Sequence, residues 1–77
     1  MESILDERAI LLSRARDQFP KRPSVSTLRR WRRIGFPDPE GGKPIILESF
    51  RDGANVFTTE QACRRFLERV TGLEHDA

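Results

Sequence analysis

Residues 24–35 read Ser-Val-Ser-Thr-Leu-Arg-Arg-Trp-Arg-Arg-Ile-Gly, a complete helix signal with a start, two unlike faces and a stop. Ser24 is a strong N-cap, because its hydroxyl can accept a backbone N–H left unpaired in the first helical turn. Gly35 supplies the left-handed residue on which helices commonly stop. Between these signals the spacing predicts a helix over residues 24–34 whose two faces differ in character. Val25, Leu28, Trp31 and Gly35 fall on one stripe at the three- and four-residue intervals of a buried helix face. Ser26, Arg29, Arg30 and Arg33 fall at the same intervals on the other side. One face is therefore built to be buried, while the other presents three guanidinium groups beside a small polar residue.

The charge of the whole chain points to the same region. The 77 residues carry 14 basic and 12 acidic side chains, a formal charge of only +2. Residues 19–37, however, hold six basic and no acidic residues, so the remainder of the chain is net acidic. Twelve of the basic residues are arginine, whose planar fork matches phosphate oxygens and the edge of guanine. A local basic stripe of this kind is the electrostatic footprint of a nucleic-acid surface, and a plain solvated helix face is the alternative reading.

Working outward, residues 4–19 carry Leu5, Ile10, Leu11, Leu12, Ala15 and Phe19. Leu11, Ala15 and Phe19 repeat every fourth residue, which predicts a helix capped by Ser3 and stopped by Pro20, in one piece or broken near Ser13. Lys21, Arg22 and Pro23 follow as a short basic turn. Beyond Gly35, the segment Phe-Pro-Asp-Pro-Glu-Gly-Gly-Lys at 36–43 reads as a loop. Residues 45–51 and 54–58 are rich in β-branched and aromatic side chains, and Asp52-Gly53 between them is the signature of a type I′ hairpin. Thr58, with Gln61 three residues on, predicts a capping box opening a last helix. Its apolar face is Ala62, Cys63, Phe66, Leu67 and Val70, with Gly72 as its end and residues 73–77 as a frayed tail. Arg64 and Arg65, lying among acids, read as solvated. Leu28, Trp31, Phe57 and Phe66 form the expected core.

Composition excludes several classes. A chain of this length buries only about 60% of its unfolded surface and makes one small domain, so residues 1–77 are expected to be a single unit. There is no apolar run of membrane-spanning length and no signal-peptide pattern, which leads to the expectation of a cytoplasmic protein, nucleoid-associated when bound to DNA. The lone Cys63 has no disulfide partner and reads as a small buried hydrophobe; His75 has no ligand set around it, so neither metal nor cofactor is expected. Phosphate-binding glycine loops, zinc-protease motifs and nucleophile elbows are missing from the sequence, so neither an enzyme nor a small-molecule binder is expected.

The expected order is helix, tight turn, arginine-rich helix, β-hairpin, helix: mainly α with a small β-hairpin, the pattern of a winged helix-turn-helix. In that arrangement the second helix of the helix-turn-helix lies in the DNA major groove. The stretch 21–36, KRPSVSTLRRWRRIGF, together with the Asp52-Gly53 turn and the TTEQACRRFL helix, resembles the winged-helix excisionases of phages and integrative elements. It is more distantly similar to the N-terminal domains of MerR-type regulators. The most specific part is the Ser24-x-Ser26-Thr27-Leu28-Arg29-Arg30-Trp31 core, and the likeness covers about residues 10–70.

The resemblance implies major-groove contacts from Ser26, Arg30 and Arg33, with Thr27 and Arg29 on the same helix. It implies further DNA contacts from Lys21 and Arg22 in the turn, and from Arg51 and Asn55 in the wing around Asp52 and Gly53. The implied function is sequence-specific binding of double-stranded DNA as an architectural directionality factor for site-specific recombination, with an integrase or further copies of itself as partners. A small transcription regulator of a mobile element is the alternative. A protein-interaction adaptor using the same fold is the alternative of another class.

Overall fold

The computed structural model describes residues 4–38 and 40–75. The capping role read for Ser3, and the end of the tail at Asp76 and Ala77, lie outside them. The chain forms an α+β domain in which helical segments pack on a three-stranded antiparallel sheet. Strand β1 is Ala9–Leu11, β2 is Phe50–Asp52 and β3 is Asn55–Thr59, in the order β1-β3-β2. The two α-helices are α1, Val25–Arg33, and α2, Glu60–His75; 3-10 helices occupy Ile4–Asp6 and Leu12–Gln18.

The first segment departs from the single helix that its spacing predicts. Residues 9–11 become a strand because β3 offers them a partner: Ala9, Ile10 and Leu11 pair with Thr59, Thr58 and Phe57. The following turn tightens to a 3-10 helix, whose three-residue repeat brings Leu12 and Ala15 to the same buried side. Helix α1 forms as expected. The Thr27 backbone N–H donates to Ser24 Oγ at 3.2 Å, and the N–H groups of Ile34 and Gly35 both donate to the Arg30 carbonyl. Gly35 has φ +98°, and a Cβ there would lie 2.8 Å from the Ile45 carbonyl oxygen and the Pro44 Cβ. Backbone conformation and close approach together require glycine at this position.

The hairpin is shorter and shifted by one residue. Asp52 pairs with Asn55, so Gly53 and Ala54 are the central turn residues. Only Gly53 has positive φ, at +64°, the sign pattern of a type II′ turn in place of type I′. Residues 45–49 are not strand, although Ile45 bridges to Phe36 and the side chains alternate, with Ile45 and Leu47 buried and Ile46 exposed. The loop before them is knitted by Asp38, whose carboxylate accepts the N–H groups of Glu40 and Gly42.

The core comprises Leu12, Ala15, Phe19, Leu28, Ile45, Leu47, Cys63, Phe66 and Val70, with Trp31 and Phe36 half-buried against it. Phe19, Trp31 and Phe66 form a mutually touching aromatic set with centroids 5.0–6.2 Å apart. Phe57 is not part of this core. Strand alternation places Ile10 and Val56 toward the helices and Phe57 on the opposite face, where it stacks on Phe50 at 5.7 Å. Burial pushes the Cys63 thiol up to about 11, so it stays a protonated hydrophobe at neutral pH.

Thr59, one residue later than expected, caps α2: its Oγ1 accepts the Ala62 N–H at 2.9 Å. Thr58 instead donates to the Glu48 carbonyl. Helix α2 then runs through Gly72 to His75 instead of stopping at Gly72. The expectation that Arg65 is solvated is also corrected. Its guanidinium forks onto Glu7 at 2.7 and 3.1 Å and reaches Glu48 at 2.9 Å, while Thr59 Oγ1 donates to Glu7 as well. These bonds tie the N-terminal segment to α2, and the Arg65 contacts hold the Glu7 carboxyl below the usual glutamate range. A lowered folded-state value means the stabilisation is complete above the unfolded value, near pH 4.5, and is lost as pH falls through the folded one. Melting temperature is therefore expected to drop with pH below about 4.5, and Glu7→Gln should both destabilise the protein at neutral pH and flatten that dependence. An unchanged pH profile in Glu7→Gln would show that this cluster does not govern acid stability.

Candidate nucleic-acid interface

Helix α1 turns its Leu28 side into the core, where Leu28 is fully buried, and this fixes which side faces outward. Ser26, Arg29, Arg30 and Arg33 are all exposed. In the hairpin, Arg51 pairs with Val56 across β2 and β3, and Val56 packs against the core. Alternation thus puts Arg51 on the side of the sheet that faces α1. The result is a shallow groove of about 480 Å³ lined by Ser26, Arg29, Arg30, Arg32, Arg33 and Arg51, with Ala54 and Val56. Five guanidinium groups share one depression, and among the described residues none of the five lies within ion-pairing distance of a carboxylate.

Such an arrangement is self-repelling in the free protein and is relieved by a polyanion. The same forks can donate to paired oxygens of phosphate or to the O6/N7 edge of guanine.

Most of the residues read from the sequence meet here. Asn55 lines a smaller adjoining cavity with Val25 and Arg29, so the hairpin end and the start of α1 lie on one side. Thr27 is absent from the groove lining: it is half-buried and its hydroxyl sits 3.0 Å from that of Ser24, in the helix cap. The turn residues go elsewhere. Arg22 is held at 3.1 Å by Asp17, and Lys21 borders a separate apolar cavity beside Trp31 and Phe66. The direction of the turn sets this, since the Arg16 Nε–H donates to the Pro23 carbonyl at 2.8 Å and folds the turn back on the preceding helix.

One bond at the groove escaped the sequence reading, that between Arg32 and Ser49. Arg32 lines the groove, and its Nε donates to Ser49 Oγ at 3.1 Å. That bond leaves the terminal nitrogens of Arg32 free for another acceptor and ties the end of α1 to the segment entering the hairpin. Helical spacing puts Arg32 between the two faces, and nothing local marks Ser49 as its partner. Among the described residues no group of three or more His, Cys, Asp or Glu side chains is placed to hold a metal ion. No helix among them is long and apolar enough to cross a membrane.

No protein-family model, curated protein or solved structure matches the chain.

Proposed function

We propose that the chain is a winged helix-turn-helix domain that binds double-stranded DNA, with α1 in the major groove and the β2–β3 hairpin as a wing against the adjacent backbone. The observation that carries this reading is the groove in which four arginines of α1 and Arg51 of the hairpin converge without carboxylate partners. The element order supports it: the 3-10 helix Leu12–Gln18, a turn, α1, then the hairpin, with β1 closing on β3. Dimensions agree as well. From Ser26 to Arg33 the helix rises about 10 Å, roughly three base-pair steps along a duplex. A helix of ~10–12 Å diameter fits a groove ~12 Å wide.

In this reading Ser26 and Arg30 face base edges, while Arg33, Arg32 and Arg51 hold phosphates. In this reading the chain acts through DNA geometry or a second protein. With the sequence resemblance, this favours an accessory factor for site-specific recombination over a regulator of transcription.

Salt dependence tests the proposal. If Arg32, Arg33 and Arg51 neutralise one phosphate each, the logarithm of the association constant should fall against log salt with a slope of roughly −2.7. Fluorescence anisotropy on a labelled duplex across a salt series reads that slope. Lack of binding to any duplex at ~50 mM salt, or tighter binding to polyglutamate than to DNA, would instead support a protein-interaction adaptor.

A further inference from the structure

A second surface lies on the outer face of the sheet and shares no lining residue with the arginine groove. Strand β1 is an edge strand: it pairs with β3 on one side, and among the described residues no strand covers its other side. Its sequence, Ala-Ile-Leu, has none of the charges or prolines that usually protect an edge. Phe57 on β3 is the cross-strand neighbour of Leu11 on one side and of Phe50 on the other, and all three are only half-buried. They make an apolar strip across the sheet. Arg8 and Arg14, both exposed and without an ion-pair partner among the described residues, bracket β1 at its two ends and line the same cavity as Leu11 and Phe57. Glu60, at the start of α2, is the carboxylate of that lining.

We propose that this face docks an extended segment of a partner protein in which apolar and acidic residues alternate. Such a segment adds a strand to the free side of β1 through backbone hydrogen bonds, while its alternate side chains reach the surface. Apolar ones lie beside Leu11 on the outer face, and the carboxylates, of the opposite parity, meet Arg8 and Arg14 where these flank the edge, away from Glu60. A basic segment is repelled by the two arginines. A second copy of this chain is disfavoured, because it presents the same basic rim. The surface lies apart from the arginine groove, so the chain can hold DNA and a protein partner together.

The test uses the full chain and a labelled peptide alternating valine and glutamate, with a valine–lysine peptide as comparator. Saturable anisotropy is expected for the first and none for the second. Arg8→Glu with Arg14→Glu should weaken binding by about tenfold or more through like-charge contact. Glu60→Gln should strengthen it, and Arg30→Glu should leave it unchanged. All four positions are exposed, so a melt coinciding with wild type accompanies each measurement. Equal binding by the double variant overturns the proposal. So does loss of binding in Arg30→Glu, which would put the peptide in the DNA groove, or self-association abolished by the double variant, which would make the occupant a second copy.

Discussion

Phe66→Ala is expected to remove most of the cooperative thermal transition, whereas Trp31→Ala should lower its midpoint and leave a transition in place. Phe66 is 3% exposed and stands between two other rings, 6.2 Å from Phe19 in an edge-on arrangement and 5.0 Å from Trp31. Truncating a buried phenylalanine costs about 3–5 kcal/mol through lost contacts and the cavity left behind. Each aromatic pair adds about 0.5–1.5 kcal/mol beyond its buried area. A domain of this length has a total stability of roughly 4–12 kcal/mol, so this single change approaches the lower limit of what holds the fold. Trp31 is larger but only half-buried, and one side borders the open apolar cavity formed with Pro20 and Pro23. Part of its surface already meets water, and its truncation exposes less new apolar area. Circular dichroism melts of the two variants decide the order. A Phe66→Ala midpoint within a few degrees of wild type, or above that of Trp31→Ala, would mean that the aromatic set is not the centre of the core.

What the sequence reveals and what it hides follow from how far apart the deciding residues stand. Helix α1 is legible from end to end because its determinants are local: the cap at Ser24, the stop at Gly35 and a periodic pattern between them. The outward arginines come from the same periodicity, and Arg51 joins them once the hairpin is recognised. Strand β1 is different. Ile10, Leu11 and Leu12 suit a helix or a strand equally, and the choice is made by pairing with residues 57–59, far along the chain. The same register decides between the adjacent threonines, turning Thr58 toward the Glu48 carbonyl and leaving Thr59 to cap α2. Phe57 has the composition of a core residue, but its parity on β3 sends it to the outer face. Contacts such as Arg65 with Glu7 and Arg32 with Ser49 join residues that no local pattern relates. Lys21 and Arg22 have suitable charge, but the hydrogen bond from Arg16 to Pro23 folds their turn back on the preceding helix, and neither lines the groove.

Arg30→Ala should weaken binding to a preferred duplex by about 1–3 kcal/mol and flatten the preference among sequences, the signature of a lost bidentate base contact. Arg30 sits near the middle of α1 on its exposed face. When the helix lies along a groove its central residues approach the base edges, while those at its C-terminal end approach the backbone. Arg33 and Arg51 are accordingly the control. Arg33→Ala or Arg51→Ala should weaken preferred and random duplexes alike and make the salt slope shallower by about one contact. Arg30→Ala should instead bring the two affinities together. Changing Arg30 and Arg33 to alanine together should lose about the sum of the single effects if one reads bases and the other holds phosphate, since the contacts are then separate. All of these side chains are exposed and none forms an ion pair among the described residues, so melting temperatures should stay near wild type. A duplex library selected with the wild-type chain supplies the preferred sequence, and anisotropy with each variant reads the comparison. Equal losses on preferred and random DNA for Arg30→Ala would move it to the phosphate contacts and leave Ser26 and Arg29 as the remaining candidates for base recognition.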